Sequence, residues 1–248
     1  DWYVQGVLNN DMIGNIAGLN GVISNTTARV FSEGTRPSES SAEARIRRFT
    51  GGEVDSPSRN LARYIDRMAD TYLANLDIMM IYRLDRFGRG GHHRPFNDLG
   101  FPAVRIMETN EHYHRQHQDL RIVNGVRFGD EITGVNFEYA AKLTALNVVT
   151  LASMAWAPAP PEAVEIEGMV SASTTLKWRK VTGAVAYKVY WRLTTEPQWH
   201  WFRALGNVDS VTLENIVIDN YFFGVASVNE DGIESPVVFP GPIGRFKR

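Results

Sequence analysis

The sequence predicts two folds in succession: an α/β unit whose mostly parallel sheet is flanked by helices, and a C-terminal all-β sandwich. In the first part, apolar runs of strand length alternate with segments of helical periodicity. A proline-rich stretch follows, and beyond it the pattern changes to short alternating strands. We therefore predict an α/β domain over residues 1–155, a linker over 156–161 and a sandwich over 162–248.

The α/β unit is predicted to begin with a strand over Val4–Leu8, and Val30 marks the strand expected to pair next to it. The polar segment between Glu33 and Glu53 reads as a loop with room for a polar helix. A helix is expected to begin at Ser56-Pro57, because proline is favoured at the first helical position.

Two compact apolar runs later in this unit have strand length, Asp77–Tyr82 and Ala103–Met107. Phe137–Ala155 is predicted to be a long buried helix, since polar residues interrupt it and its apolar part is too short to span a membrane. Strands that alternate with helices favour a parallel sheet covered on both faces, with ligands bound beyond the carboxyl ends of the strands. Asp11 stands at such an end.

The region after the linker contains four short runs typical of strands: Thr175–Trp178, Ala186–Trp191, Val211–Leu213 and Tyr221–Val228. Their spacing predicts a β-sandwich. Trp178 ahead of Tyr187, and the Tyr-x-x-x-Val-Ala-x-Val-Asn-x-x-Gly run that ends at Gly232, resemble fibronectin type III domains over about residues 161–240.

The composition narrows the functional classes. A formal net charge of −2 offers no electrostatic footprint for nucleic acid or for an anionic membrane, so we expect neither as a partner. The chain contains no cysteine, so a metal site here must use histidine and carboxylate ligands.

Histidines are concentrated in one stretch. Five of the six lie between residues 92 and 117: His92, His93, His112, His114 and His117. This clustering is compatible with metal binding and equally with a polar loop. The His-Glu-x-x-His signature of helical zinc proteases is absent.

Four motifs occur in a fixed order: Asn-x-Asp-Met-Ile-Gly at Asn9–Gly14, Gly-Gly-His-His-x-Pro-Phe at Gly90–Phe96, Gly-x-Pro-Ala at Gly100–Ala103, and Tyr-x-x-Gln-His-Gln-Asp at Tyr113–Asp119. Taken together, they resemble the co-catalytic dinuclear-zinc peptidases. That family includes bacterial leucyl aminopeptidases, glutamate carboxypeptidase and the related glutaminyl cyclases. The resemblance covers residues 1 to about 155 and implies a zinc exopeptidase-like fold.

The resemblance implies two zinc ions, one bound by Asp11 and the other by His117. His114 is the competing match for the second ligand, and a turn-capping role is the alternative for Asp11. Zinc pairs of this kind activate a water for peptide hydrolysis. The implied function is therefore that of an exopeptidase, with aminopeptidase action expected, on peptide substrates outside the cytosol, in a secreted or periplasmic protein.

In this family the general-base glutamate and the remaining zinc ligands precede the Asn-x-Asp-Met motif. We therefore expect an N-terminal part of the same domain to be needed, and this fragment alone to be inactive. One position also departs from the family: His92 stands where aspartate is common. That departure keeps open a non-catalytic binding protein on the peptidase scaffold, and glutaminyl cyclisation is a further alternative.

Two groups of charged residues are candidates for substrate binding. Glu108 and Glu111 could bind a free substrate amine, which would favour aminopeptidase action. The arginines after the strand at Asp77–Tyr82 could clamp a peptide carboxylate, although pairing with Asp85 is the favoured interpretation. These arginines are Arg83, Arg86 and Arg89.

Overall fold

Strands and helices alternate up to residue 156, and only strands and short turns follow, in a computed structural model that describes residues 4–246. The first part contains β1 (Val7–Asn10), β2 (Thr27–Ser32), α1 (Ser41–Thr50), α2 (Pro57–Tyr72), β3 (Asp77–Ile81), α3 (Arg94–Asp98), β4 (Ala103–Glu108), β5 (Arg121–Val123), β6 (Val126–Phe128) and α4 (Phe137–Trp156). The second contains β7 (Glu162–Glu167), β8 (Thr174–Arg179), β9 (Ala186–Leu193), β10 (Trp201–Leu205), β11 (Ser210–Leu213) and β12 (Tyr221–Val228). The predicted domains extend at both ends, by residues 1–3 and 247–248, beyond this described part.

The first sheet has the strand order β1-β4-β2-β3. The outer pairs, β1 with β4 and β2 with β3, are parallel, but the central pair of β2 with β4 is antiparallel. The sheet is therefore mixed, and the expectation that β2 pairs next to β1 is wrong. Every residue of β4 is buried whereas β1 is only partly so, and accordingly β4 takes the interior position.

Both long helices cover the same face of this sheet. α2 and α4 share one apolar core with the strands, in which Leu61 and Leu143 pack with Ile106. Side-chain caps fix where the helices begin: Ser56 Oγ accepts from Arg59 N, and Asn136 Oδ1 accepts from Tyr139 N. Within residues 4–246, no helix combines the length and apolar character that crossing a membrane requires.

The opposite face of the sheet carries charged residues. Arg29 of β2 and Arg105 of β4 point away from the helices and contact the segments that follow β3 and β4. The expectation of helices on both faces is therefore corrected, since the contacts of this side come from the loops after β3 and β4. Polar side chains in these loops supply the hydrogen-bond partners that the buried guanidinium groups on this face of the sheet require.

The C-terminal region is a β-sandwich of two antiparallel three-stranded sheets, β11-β8-β7 and β10-β9-β12. Side chains from both sheets meet in one core, where Leu176 and Trp178 pack with Tyr187 and Phe223. Each of the four predicted runs contains a strand, and β7 and β10 are additional.

Polar contacts join the sandwich to the α/β part, although no strand pairing in the described residues links their sheets. Asp55, which is fully buried, accepts from Arg63 Nη1 of α2 at 3.0 Å and from Arg192 Nη2 of β9 at 2.7 Å. The linker is also anchored, since Asn229 Nδ2 donates to the main-chain oxygen of Trp156 at 3.0 Å. The two parts therefore share an interface that contains buried ion pairs and hydrogen bonds.

Candidate functional site

The carboxyl ends of β1 and β4 meet at one edge of the sheet because these strands are parallel neighbours. Asp11 N donates to Ile106 O at 3.2 Å, and Glu108 N donates to Met12 O at 2.8 Å. The Asn-x-Asp-Met motif and the segment after β4 therefore leave the sheet side by side. This is the arrangement in which α/β sheets bind ligands.

Asp11 is held by the fully buried Arg105. Arg105 Nε donates to the main-chain oxygen of Asp11 at 2.6 Å, and its Nη2 lies 3.1 Å from Asp11 Oδ2. The Nη2 atom is buried and makes no well-aligned hydrogen bond. The Asp11 side chain is 42% exposed, so its carboxylate faces outward from a fixed backbone.

A chain of alternating charges continues from Arg105 beneath the site. Arg105 Nη1 donates to Asp85 Oδ2 at 2.8 Å, Arg86 contacts Asp85 Oδ1, and Arg86 Nη1 donates to Glu111 Oε2 at 2.9 Å. Arg29 Nη2 donates to the other oxygen of Glu111 at 3.2 Å. We call these residues, together with Asp11, the charged cluster.

Asp85 and Glu111, the two buried acids of the charged cluster, remain ionised despite their burial. Burial alone would raise the pKa of Asp85, but hydrogen bonds from Arg86 and Arg105 outweigh it and lower the pKa below its usual value. Burial likewise opposes ionisation of Glu111, and hydrogen bonds from Arg86 and Arg29 lower its pKa. The negative charge of Glu111 is thus balanced by arginine side chains of the protein itself.

The adjacent histidines His92 and His93 have different environments. His92 is exposed on a turn, whereas His93 is fully buried. The Nε2 atom of His93 lies 2.8 Å from Leu84 O, which can only accept, so Nε2 carries the proton and Nδ1 accepts from Asn9 Nδ2 at 3.4 Å. Burial lowers the pKa of His93, which favours this neutral form.

A cavity of about 370 Å³ opens beside the motif that contains Asp11. Its walls come from the loop after β1, the end of β4, the loop after β4 and the segment before α4. The lining residues are Met12, Gly14, Asn15, Glu108, His112, Arg115, Gln116, Asp130, Glu131, Ile132, Gly134 and Val135. The volume lies within the range of small-molecule and short-peptide sites.

Glu108 is the buried acid of this cavity. Its Oε2 accepts from Asn15 N at 2.8 Å, yet burial raises its pKa to about 7. The neighbouring charge of Glu111 contributes to the same rise. Glu108 can therefore gain or lose a proton near neutrality, unlike Glu111 three residues later.

The two histidines considered as the second zinc ligand are placed differently. His117 is exposed, with φ at 53°, and does not line the cavity. His114 is partly buried against Phe128, with 4.5 Å between ring centroids. The contacts of the described residues do not choose between them, and the assignment of Asp11 and His117 stays a prediction.

The described residues do not provide the set of donors that a zinc ion requires. Residues 4–246 contain no group of three or more His, Cys, Asp or Glu side chains positioned to hold a metal ion. Stable zinc sites need three or four protein ligands. Asp11 has the oxygen chemistry and exposure of one ligand, but the residues present do not form a complete zinc site.

The arginines after β3 serve the fold rather than a free carboxylate clamp. Arg86 pairs with both Asp85 and Glu111, Arg89 Nη1 lies 3.4 Å from Glu111 Oε2, and Arg83 lies over the ring of Phe87. Pairing with Asp85, expected from the sequence, therefore accounts for only part of their contacts. Sequence reasoning missed Arg105, whose signal was a charge within the otherwise apolar run Ala103–Met107.

Curated relatives resemble almost the whole chain. A probable zinc metalloprotease of Leptosphaeria maculans is 42% identical over 242 residues, which covers 96% of this chain and 56% of the relative. Probable zinc metalloproteases of Pyrenophora teres f. teres and Pyricularia oryzae are 40% and 39% identical, with 96% of this chain and 50% and 49% of the relatives covered. The chain spans about half the length of the curated relatives it matches.

Solved structures match about a third of the chain weakly, and no protein-family profile matches the chain. An Fn3-like protein from Clostridium thermocellum superposes with a TM-score of 0.29 and 20% identity, covering 33% of this chain and 85% of that one. An FN3 domain of human collagen XX gives a TM-score of 0.27 and 20% identity over 32% of this chain and 90% of that one. The description of the C-terminal region as a sandwich therefore rests on its own strand pairings and shared core.

Proposed function

We propose that the chain forms part of a zinc-dependent exopeptidase, with aminopeptidase action, that hydrolyses peptides outside the cytosol. The observation that carries the proposal is the half-exposed carboxylate of Asp11, fixed by Arg105 at the strand edge beside a cavity of about 370 Å³. The proposal is supported by relatives of about 40% identity that are named probable zinc metalloproteases. We also propose that the sandwich is a fibronectin type III domain.

In this proposal Asp11 and His117 each bind one of two zinc ions, and polypeptide outside these 248 residues supplies the remaining ligands and the general base. When bound, such a zinc pair supplies a water whose pKa is lowered toward neutrality. The part played by Arg105 is to keep the Asp11 backbone in place, so that its carboxylate needs little rearrangement to bind a cation.

Glu108 is the residue we assign to the free amine of the substrate. Glu111 is already neutralised by Arg29, Arg86 and Arg89, whereas Glu108 lies in the cavity wall without a salt bridge to a described residue. An ammonium group beside Glu108 would stabilise its ionised form, because an opposite charge lowers a raised carboxyl pKa. Cation recognition by this acid favours aminopeptidase action.

The test uses a polypeptide of the relatives' full length that contains this chain. We expect two zinc ions per chain by elemental analysis, together with release of N-terminal residues from peptides. Asp11→Ala and His117→Ala should each remove about one zinc and nearly all turnover, while the matched variant His114→Ala should keep both.

Three outcomes would contradict parts of the proposal. Absence of both zinc and hydrolysis would favour a non-catalytic binding protein. One zinc with formation of pyroglutamyl ends would favour a glutaminyl cyclase. Loss of zinc from His114→Ala but not from His117→Ala would show that the ligand assignment is wrong while the peptidase proposal stands.

A further inference from the structure

Arg115 is an uncompensated cation in the cavity wall. Its side chain is partly buried, and within residues 4–246 its side chain makes one hydrogen bond, from Nη1 to the neutral Asn15 Oδ1 at 3.2 Å. A guanidinium carries five N–H donors, so most of its capacity is unused by the described residues. Arg115 also borders the adjoining cavity of about 460 Å³ in front of the β5–β6 hairpin.

Four other arginines near this edge have carboxylate partners. Arg29, Arg86 and Arg89 contact Glu111, and Arg105 contacts Asp85 and Asp11. Arg115 differs from these four arginines, because no ion pair joins it to a carboxylate of the described residues although it lines the cavity.

The acids of the cavity do not neutralise Arg115. Glu131 already forms an ion pair with Arg127, whose Nε donates to Glu131 Oε1 at 2.8 Å. Asp130 is exposed, and no ion pair joins it to Arg115 among the described residues. Glu108 is bound to main-chain nitrogen and protonates near neutrality.

The surroundings of Arg115 leave room for a ligand. A Cβ at Gly134 would lie 3.2 Å from Arg115 Cδ and Nη1, so the absence of a side chain at 134 lets the arginine lie against the wall. His112, on the same wall, has a buried Nδ1 without a hydrogen-bond partner. Burial, together with the charge of Arg115, lowers the pKa of His112 and favours a neutral ring that can donate or accept.

We propose that Arg115 binds a carboxylate of the substrate, so that the cavity selects short peptides with a free C-terminal carboxylate over longer or amidated ones. This inference rests on the proposed exopeptidase function and names its substrate class. Guanidinium pairs bidentately with carboxylate, and a cavity of about 370 Å³ holds only a few residues. Glu108 and Arg115 would then contact the two charged ends of one short peptide.

The kinetic test uses the full-length polypeptide and three substrates: Leu-Gly, Leu-Gly-amide and Leu-Glu-amide. Arg115→Gln should raise KM for Leu-Gly by ~10-fold or more, because a charged hydrogen-bonded pair is lost, and should leave Leu-Gly-amide unchanged. Arg115→Lys should recover part of the loss. The matched control is Arg121→Gln on the exposed β5 strand, which should behave as the unsubstituted protein does.

The third substrate separates two sources of the carboxylate. If Arg115→Gln affects Leu-Glu-amide but not Leu-Gly, the arginine binds an acidic side chain, and the proposed selection by chain end is wrong. Equal effects of Arg115→Gln on all three substrates would also overturn the proposal, since they would show a structural role.

A binding measurement makes the inference independent of turnover. Zinc-free polypeptide titrated calorimetrically with Leu-Gly should bind it ~10-fold or more tightly than Leu-Gly-amide, and Arg115→Gln should remove the difference. Equal binding of both ligands, or binding of neither, would overturn the inference. Arg115-dependent binding without any hydrolysis by the zinc-loaded protein would refute the exopeptidase proposal while the carboxylate site stands.

Discussion

Arg105 links Asp11 to Asp85 through one buried guanidinium. Its Nε donates to the Asp11 main-chain oxygen at 2.6 Å, and its Nη1 donates to Asp85 Oδ2 at 2.8 Å. The position of the candidate ligand is therefore coupled to the charged cluster on the loop-covered face of the sheet. A change in that cluster should alter both stability and the geometry of Asp11.

Replacement of Arg105 by methionine should destabilise the fold by about 3 kcal/mol, because the buried Asp85 then loses one of its two arginine partners in the described residues. The measurement is the free energy of unfolding from urea titration. Arg94→Ala removes an exposed pair with Asp98 and serves as the control, with no measurable change expected. An Arg105→Met protein as stable as the unsubstituted one would show that the cluster contributes little.

The neighbouring histidines offer a matched pair of variants. His93→Ala should cost about 3 kcal/mol, since it opens a cavity and leaves Leu84 O without its donor. His92→Ala should leave stability unchanged because His92 is exposed. Thermal unfolding of both variants under one condition makes the comparison, and the reverse order of stabilities would contradict the tautomer and burial described for His93.

Local signals in the sequence predicted much of the α/β unit. Pro57 after Ser56 predicted where α2 begins, and the apolar run Ala103–Met107 predicted β4. The position of Asp11 beyond a strand end was also predicted, and the parallel pairing of β1 with β4 places it there. These features depend on residues close together in the chain, which periodicity and capping rules describe well.

Strand order and charge partners could not be predicted in the same way. The insertion of β4 between β1 and β2 depends on burial of the whole sheet, which no local pattern encodes. Glu108 and Glu111 look alike in sequence, yet three arginines, one in β2 and two in the segment after β3, neutralise only Glu111. The sequence likewise could not predict that Arg115 has no carboxylate partner among the described residues, because such partners are distant in the chain.

The interface at Asp55 leads to a prediction about cooperativity. Asp55→Ala would leave the buried guanidiniums of Arg63 and Arg192 without their shared carboxylate and should cost about 3–5 kcal/mol. In the unsubstituted chain, helix circular dichroism and tryptophan fluorescence should report a single unfolding transition. In the variant the two curves should separate.

The control for the interface is Ser173→Ala, a change at a partly exposed bend of the sandwich far in sequence from Asp55, which should keep one transition. Two transitions in the unsubstituted chain would show that the α/β part and the sandwich unfold independently despite their contacts.

The contributions of Glu108 and Glu111 to the free energy of unfolding should change with pH in opposite directions. The pKa of Glu108 is raised in the folded state to about 7 from an ordinary 4.5, so between these values the folded chain binds more protons than the unfolded chain and loses stability as pH rises. Glu108→Gln keeps an acceptor for Asn15 N and should therefore be more stable than the unsubstituted chain at pH 8, by about 2–3 kcal/mol, with little difference at pH 4.

Glu111 has a lowered pKa, so its contribution to the free energy of unfolding is present above its ordinary pKa and is lost as pH falls through the folded value. Glu111→Gln should accordingly destabilise the metal-free chain at pH 8. Urea titrations of both variants across this range test the pair, and a Glu108→Gln protein that is less stable at pH 8 would show that Glu108 is ionised and internally compensated.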